Sequence, residues 1–221
     1  MLALLATTAL ASPRFDAPDA RLRSLAAQGW QAAQRCSGRE APASSTVTIE
    51  LGPLPQGFAG RAELVEGELQ SIRLAHRETE PIELFHEIAH AWAGEGPLPL
   101  VEGRVGVLAD CMAQQQRART WQDDGRSLRF MHGLMGWSGG SAQQMADSYA
   151  AAYRWFGALS EEIDLDELVP ERPWSSWSGF REEFRGRSDR VDELLSWLDL
   201  PRAEQVRRLD GLVEPTVADA P

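Results

Sequence analysis

PIELFHEIAHAWAG, residues 81–94, carries both the start signals and the interior of a helix. Proline is favoured at the first helical position because the N–H it lacks would go unpaired there, so Pro81 opens the helix with Thr79 or Glu80 as its cap. Glu83 falls in the first turn, where a carboxylate meets the positive end of the helix dipole. Ile82, Leu84, Phe85, Ile88, Ala89 and Trp92 make the helix mostly apolar, and Gly94, Gly96 and Pro97 stop it. Two imidazoles, His86 and His90, project from this buried element. Residues four apart share one face of a helix, so the pair can be presented to a single metal ion. Glu87 stands beside them, placed to take a proton from a metal-bound water.

A catalytic zinc ion normally takes three protein ligands and keeps one position open. The chain has four histidines, and neither His76 nor His132 follows the motif closely enough to complete it. The next stretch, LPLVEGRVGVLADCM, offers Glu102 near the start of a second helix. A brief Gly/Pro turn makes the two helices packed neighbours, which lets Glu102 face the histidines. Glu102 is therefore the expected third ligand. A histidine pair of purely structural use on a core helix is the alternative.

HEIAH followed by LPLVEGRVGVLA resembles the gluzincin zinc peptidases, in particular small bacterial members with H-E-x-x-H, a short turn, then L-P-x-W-L-x-E-G-x-A. Leu98-Pro99-Leu100 and Glu102-Gly103 fit that pattern. Val101 stands directly before the glutamate without the usual upstream Trp, and Arg104-Val105 replaces an apolar-Ala pair. FREEFRGRSDRVDELLSWL is similar to the C-terminal helix of such proteins. The resemblance spans about residues 58–198 and is strongest over 81–110. It implies an α+β fold, a small antiparallel sheet or hairpin followed by a mainly helical zincin-like domain. It also implies one Zn²⁺ per chain and a peptide or protein substrate. Gluzincins carry a downstream Tyr or His that stabilises the oxyanion. The helix SAQQMADSYAAAYRWFGAL holds both tyrosines of the chain; Tyr149 is the first choice, with Tyr153 and His132 behind it.

Upstream, DAPDARLRSLAAQGWQAAQR (16–35) has helical apolar spacing, SGREAPASS is a linker, and TVTIEL reads as a strand. RAELVEGELQSIRLAH reads as a hairpin about Glu66-Gly67, with Ala62, Leu64, Ile72 and Leu74 on one face. In gluzincins a sheet edge at this place pairs with an extended substrate, and SIRLAH is the candidate edge. MLALLATTALA is apolar and too short to span a membrane; with Ala9-Leu10-Ala11 as a small-x-small site it reads as a signal peptide over 1–11, though without a positive n-region, and a buried N-terminal helix is the alternative. No Cys follows it to carry a lipid anchor.

The expected division is a signal peptide (1–11), one domain (12–214) and a disordered tail (215–221). Cys36 and Cys111, the two cysteines, suit one disulfide in an exported chain, or two inert buried thiols. The second ligand helix should run to about Arg119. Asp123-Asp124-Gly125 reads as a turn and Trp137-Ser138-Gly139-Gly140 as a loop beside the cleft. Trp174, Trp177, Phe180, Phe184 and Trp197 suggest packing under a loop-rich cap, followed by two short helices.

With 221 residues, 43 % of them apolar, the chain can build one sizeable core, and its net charge of −11 argues against nucleic acid or an anionic membrane as partner. The function expected is zinc-dependent hydrolysis of a peptide bond by a metal-activated water, with Glu87 as general base. A catalytically silent zinc-binding protein of peptidase fold, acting in binding or assembly, shares most of these residues. A metal-free helical protein is the third reading. Nothing in the sequence specifies the cleaved peptide or the oligomeric state.

Overall fold

The computed structural model describes residues 13–40, 42, 44–55, 58–94, 96–120, 142–170, 174 and 176–212, with the backbone alone at 142–147. The expected signal peptide, tail, Asp123–Gly125 turn, Trp137–Gly140 loop and His132 lie outside these residues. The described chain is mixed α+β. Strand β1 (Arg14–Asp16) leads into helix α1 (Ala20–Ser37), followed by β2 (Thr46–Leu51), β3 (Gly60–Val65) and β4 (Glu68–Leu74). Helices α2 (Pro81–Ala93), α3 (Leu98–Gln115) and α4 (Ala142–Leu159) follow. A peripheral group comprises α5 (Leu165–Leu168), α6 (Trp177–Phe184), α7 (Asp189–Ser196), a 3-10 turn (Trp197–Asp199) and α8 (Arg202–Asp210).

The sheet order is β1-β2-β4-β3, so the sheet is mixed and the expected antiparallel sheet is corrected. β1 and β4 both pair with β2 in parallel, and only β3–β4 is antiparallel. The strand at 14–16 was not expected, and the first helix starts at Ala20 instead of 16, because the Asp19 carboxylate accepts from Leu22 N–H at 2.9 Å and caps it there. The hairpin turns where expected: Glu66 and Gly67 both have positive φ, 53° and 81°, the two-residue turn whose twist suits a hairpin.

SIRLAH is not the edge. β4 sits between β2 and β3, and β3 is the outer strand on that side. The register steps from Glu63↔Ser71 to Leu64↔Leu69, leaving Gln70 as the extra residue of a bulge. The bulge puts Leu69, fully buried, on the core face with Ile72 and Leu74, and leaves Leu64 at the surface.

One face of the sheet carries Val47, Ile49, Leu69, Ile72 and Leu74 into the core, where α1 and α2 cover it. α1 contributes Leu22, Ala26, Trp30 and Ala33 from one stripe, and Trp30 meets Trp92 of α2 edge-on at 4.6 Å. α2, α3 and α4 then pack in succession. α3 ends at Gln115, four residues short of the expected Arg119. The cap is helical where a loop-rich one was expected: Trp177, Phe180 and Phe184 lie on the buried face of α6, and Phe180 stacks against Trp155 and Phe156 of α4. Arg39, just past α1, donates to the carbonyls of Trp92 (3.3 Å) and Val169 (2.7 Å), tying the ends of α2 and α5 together.

Cys36 at the end of α1 is bonded to Cys111 on α3, with Cα atoms 6.0 Å apart. The link spans 75 residues of sequence and encloses β2, β3, β4 and α2, leaving β1 outside the loop. A loop of that size removes much of the entropy of the unfolded chain. Unfolded without reductant, the protein should titrate no free thiol, and the double variant C36A/C111A should lose about 2–4 kcal/mol of stability in urea unfolding. An unchanged midpoint in the double variant would show that the bridge adds no stability.

Candidate metal centre

α2 is set by its first turn. Glu80 caps it, Pro81 opens it, and the Glu83 carboxylate accepts from the Glu80 N–H at 3.1 Å, one half of a capping box. Gly94 (φ 66°) and Gly96 (φ 153°) then take backbone conformations that other residues resist, and the chain enters α3 at Leu98. This turn brings Glu102 against the two histidines. His86 Nε2 lies 3.3 Å from Glu102 Oε2, and His90 Nε2 lies 3.9 Å from Glu102 Oε1. Ligand atoms bound at about 2.1 Å around a tetrahedral ion sit roughly 3.4 Å apart. One donor atom from each of the three residues falls within 4.8 Å of the others. Two imidazoles and a carboxylate at this spacing could hold a metal ion, and the donor set fits.

Electrostatics favour a neutral His90 and an ionised Glu102. Burial lowers the pKa of His90 to about 4, keeping the imidazole in its neutral, ligating form. Burial also opposes charge on His86, but its hydrogen bond to Glu102 and the carboxylates of Glu102, Glu87 and Asp110 outweigh this and raise it. Glu102 is only 4 % exposed; burial pushes its pKa up, yet the two histidines and Tyr153 bring it below the ordinary carboxylate value.

Glu87 is 6 % exposed and stands apart from the three donors. Burial raises its pKa to about 7, with Glu102 adding to the rise, while His86 and the Ala62 N–H act against it. β3 forms its seat. Ala75 N–H donates to Ala59 O at 2.9 Å, so the hydrogen-bonded β3–β4 pairs fall at odd positions, and the N–H and C=O of Gly60 and Ala62 face away from β4. The Ala62 N–H thereby reaches the Glu87 carboxylate. A Cβ at Gly60 would come within 2.6 Å of Glu87 Cγ and Oε1.

These residues share a cavity of about 180 Å³ lined by Phe58, Gly60, Arg61, Ala62, His86, Glu87, His90, Glu102 and Tyr149. His86, Glu87, His90, Glu102 and Tyr149, the residues the sequence marks as site candidates, all line this cavity. The sequence does not mark Phe58, Gly60, Arg61 and Ala62 as site residues, since nothing in the strand's alternation marks which residues meet the metal helix. Tyr149 is half-buried, and burial, then Glu102 and Glu87, raise its pKa so that it keeps its proton. Tyr153, one turn further along α4, is buried; its hydroxyl lies 3.5 Å from His86 Nδ1 and donates to Glu102 Oε2 at 3.4 Å.

Two close approaches fix α4 on α3. A Cβ at Gly103 would fall 2.0 Å from the Phe156 ring, and one at Gly106 would fall 2.2 Å from the Tyr153 ring. Only glycine lets the helices meet at this depth. Compared with known proteins, the chain matches no family model, no curated protein and no solved structure.

Gly60 gives a direct test of the Glu87 seat. Its φ is not left-handed, so alanine there meets a steric conflict alone. Gly60→Ala should destabilise the protein by about 1–3 kcal/mol, as overpacking does. The cost should shrink in a Glu87→Ala background, with a coupling of about 0.5–3 kcal/mol in a double-mutant cycle. Strict additivity would mean that the two residues do not touch in solution.

Proposed function

We propose that the chain is a zinc-dependent peptidase of the gluzincin type. The carrying observation is the seating of Glu87 by β3 in the same cavity as the His86–His90–Glu102 donor set. His86 Nε2, His90 Nε2 and the Glu102 carboxylate would hold the ion. Bound there, Zn²⁺ supplies Lewis-acid polarisation of a carbonyl and lowers the pKa of water towards about 7.

The chain's own residues do the rest. Glu87 takes a proton at its carboxylate from the water that adds to the scissile carbonyl carbon, and delivers it to the amine nitrogen as the C–N bond breaks. Tyr149, with its proton retained, donates to the carbonyl oxygen as charge builds on it. An extended peptide lies along β3 and pairs with the outward main-chain groups that Glu87 does not occupy, the N–H and C=O of Gly60 and the C=O of Ala62. His90 and Tyr149, both half-buried, leave the cavity reachable from solvent.

Export belongs to the same proposal: the Cys36–Cys111 disulfide suits an oxidising compartment. Among the described residues, no helix is long and apolar enough to cross a membrane.

Elemental analysis should find about one zinc per chain, depleted in Glu102→Ala. Glu87→Gln should keep its zinc and lose peptide cleavage by about 10²–10⁴-fold, the usual share of a general base. Undiminished cleavage by that variant would overturn the mechanism. Zinc without cleavage of any peptide in a library would favour the binding or assembly reading. No zinc uptake at all would leave a metal-free helical protein.

A further inference from the structure

We infer that Tyr153 is a positioning residue of the metal centre, a hydroxyl that orients His86 and Glu102 together, and is not the group that meets the substrate. The inference rests on the metal-site reading above and adds a role that the H-E-x-x-H motif does not contain.

The geometry carries it in three steps. First, depth: Tyr149 lines the cavity and Tyr153 does not, although both lie on α4 one turn apart. Tyr153 is 9 % exposed, with its ring edge-on to His86 at 5.8 Å between centroids. Second, hydrogen-bond polarity. A phenol has one proton to give and lone pairs to accept with. The Tyr153 O–H donates to Glu102 Oε2, which leaves its oxygen to accept from His86 Nδ1–H. Without a metal Nε2–H donates to Glu102; a proton kept at Nδ1 leaves Nε2, the atom that faces Glu102, as the nitrogen whose lone pair is freed for a metal. One hydroxyl therefore selects the ligating tautomer of His86 and restrains the carboxylate of Glu102. Groups in this position behind metal ligands commonly set affinity as strongly as the ligands' own geometry does.

Third, the hydroxyl is placed by a fixed ring. Gly106 lies under the Tyr153 ring, four residues after Glu102 on α3, and any Cβ there would intersect it at 2.2 Å. Gly103, beside Glu102, makes the matching space for Phe156. Gly103, read in the sequence only as part of the Glu-Gly pair, and Gly106, not singled out there, here serve to bring Tyr153 within reach of both ligands.

The test uses the full chain and zinc alone, with affinity measured by competition against a chromophoric chelator. Tyr153→Phe keeps the ring and deletes the hydroxyl. The expected result is a metal-free melting temperature lowered by a few degrees at about the cost of one hydrogen bond to a buried carboxylate, with zinc bound about 10–100-fold more weakly. The rise in melting temperature on adding zinc should shrink accordingly. Gly106→Ala, which displaces the ring instead of removing the hydroxyl, should weaken zinc binding in the same direction.

Wild-type protein supplies a readout that does not depend on a variant folding. Imidazole ¹⁵N correlations of the zinc-loaded chain should place the remaining His86 proton at Nδ1, slow to exchange with solvent. A Tyr153→Phe protein that binds zinc within twofold of wild type would overturn the inference and leave the zinc site standing. A proton at Nε2 of His86 would also overturn it. A wild-type chain that takes up no zinc would overturn both the inference and the reading beneath it.

Discussion

A carboxylate buried between two imidazoles is the interaction on which this structure turns. Removing an ionised carboxylate from water costs several kcal/mol unless opposite charge or hydrogen bonds replace the lost solvent. Glu102 meets that requirement from three directions: His86 at 3.3 Å, His90 at 3.9 Å and the Tyr153 hydroxyl at 3.4 Å. Each partner comes from a helix other than its own, so the packing of α2, α3 and α4 and the solvation of this one group are the same problem. The short glycine-bearing turn at Gly94–Pro97 fixes the first interface, and the glycine contacts at 103 and 106 fix the second. A metal ion in the same place would supply the compensating charge more strongly than two imidazoles can.

The sheet contributes differently. It shields one side of α2 with Leu69, Ile72 and Leu74, and it presents its outer strand to the cavity. β3 is suited to this because every second peptide group points away from the sheet. One of these groups, the Ala62 N–H, is engaged by Glu87, and the missing side chain at Gly60 leaves that carboxylate its space. The strand thus both positions a candidate base and offers main-chain pairing to an extended ligand. An edge strand with unpaired groups is ordinarily an aggregation hazard; here the α2 carboxylate occupies one of them.

Much of this was legible in the residues, and the limits have physical causes. Helix α2, its proline start, its glycine stop and the approach of Glu102 all follow from signals within about twenty residues of one another, where local propensity and a short connection decide the outcome. The hairpin turn at Glu66-Gly67 was legible for the same reason. The identity of the edge strand was not. It depends on β2 inserting in parallel beside β4, a pairing across some twenty residues that leaves no local trace. β1 is three residues long and has no period to detect. The bulge at Gln70 shifts which apolar residues of the hairpin point inward, and the alternation that marked Leu64 as a core residue is interrupted there. Gly60 and Tyr153 became functional candidates only through contacts that span many residues.

The two tyrosines show why periodicity alone could not divide the work. A spacing of four puts both on one face of α4, and a sequence reading can go no further than that. In the fold, however, the two rings lie at different depths. Tyr149 is left half-buried against the cavity, while Tyr153 is enclosed over Gly106. Burial then separates their surroundings: the Tyr149 hydroxyl is at the cavity, and the Tyr153 hydroxyl is enclosed against His86 and Glu102. The same residue type, on the same helix face, takes two depths because glycine at position 106 leaves room for the second ring to sink.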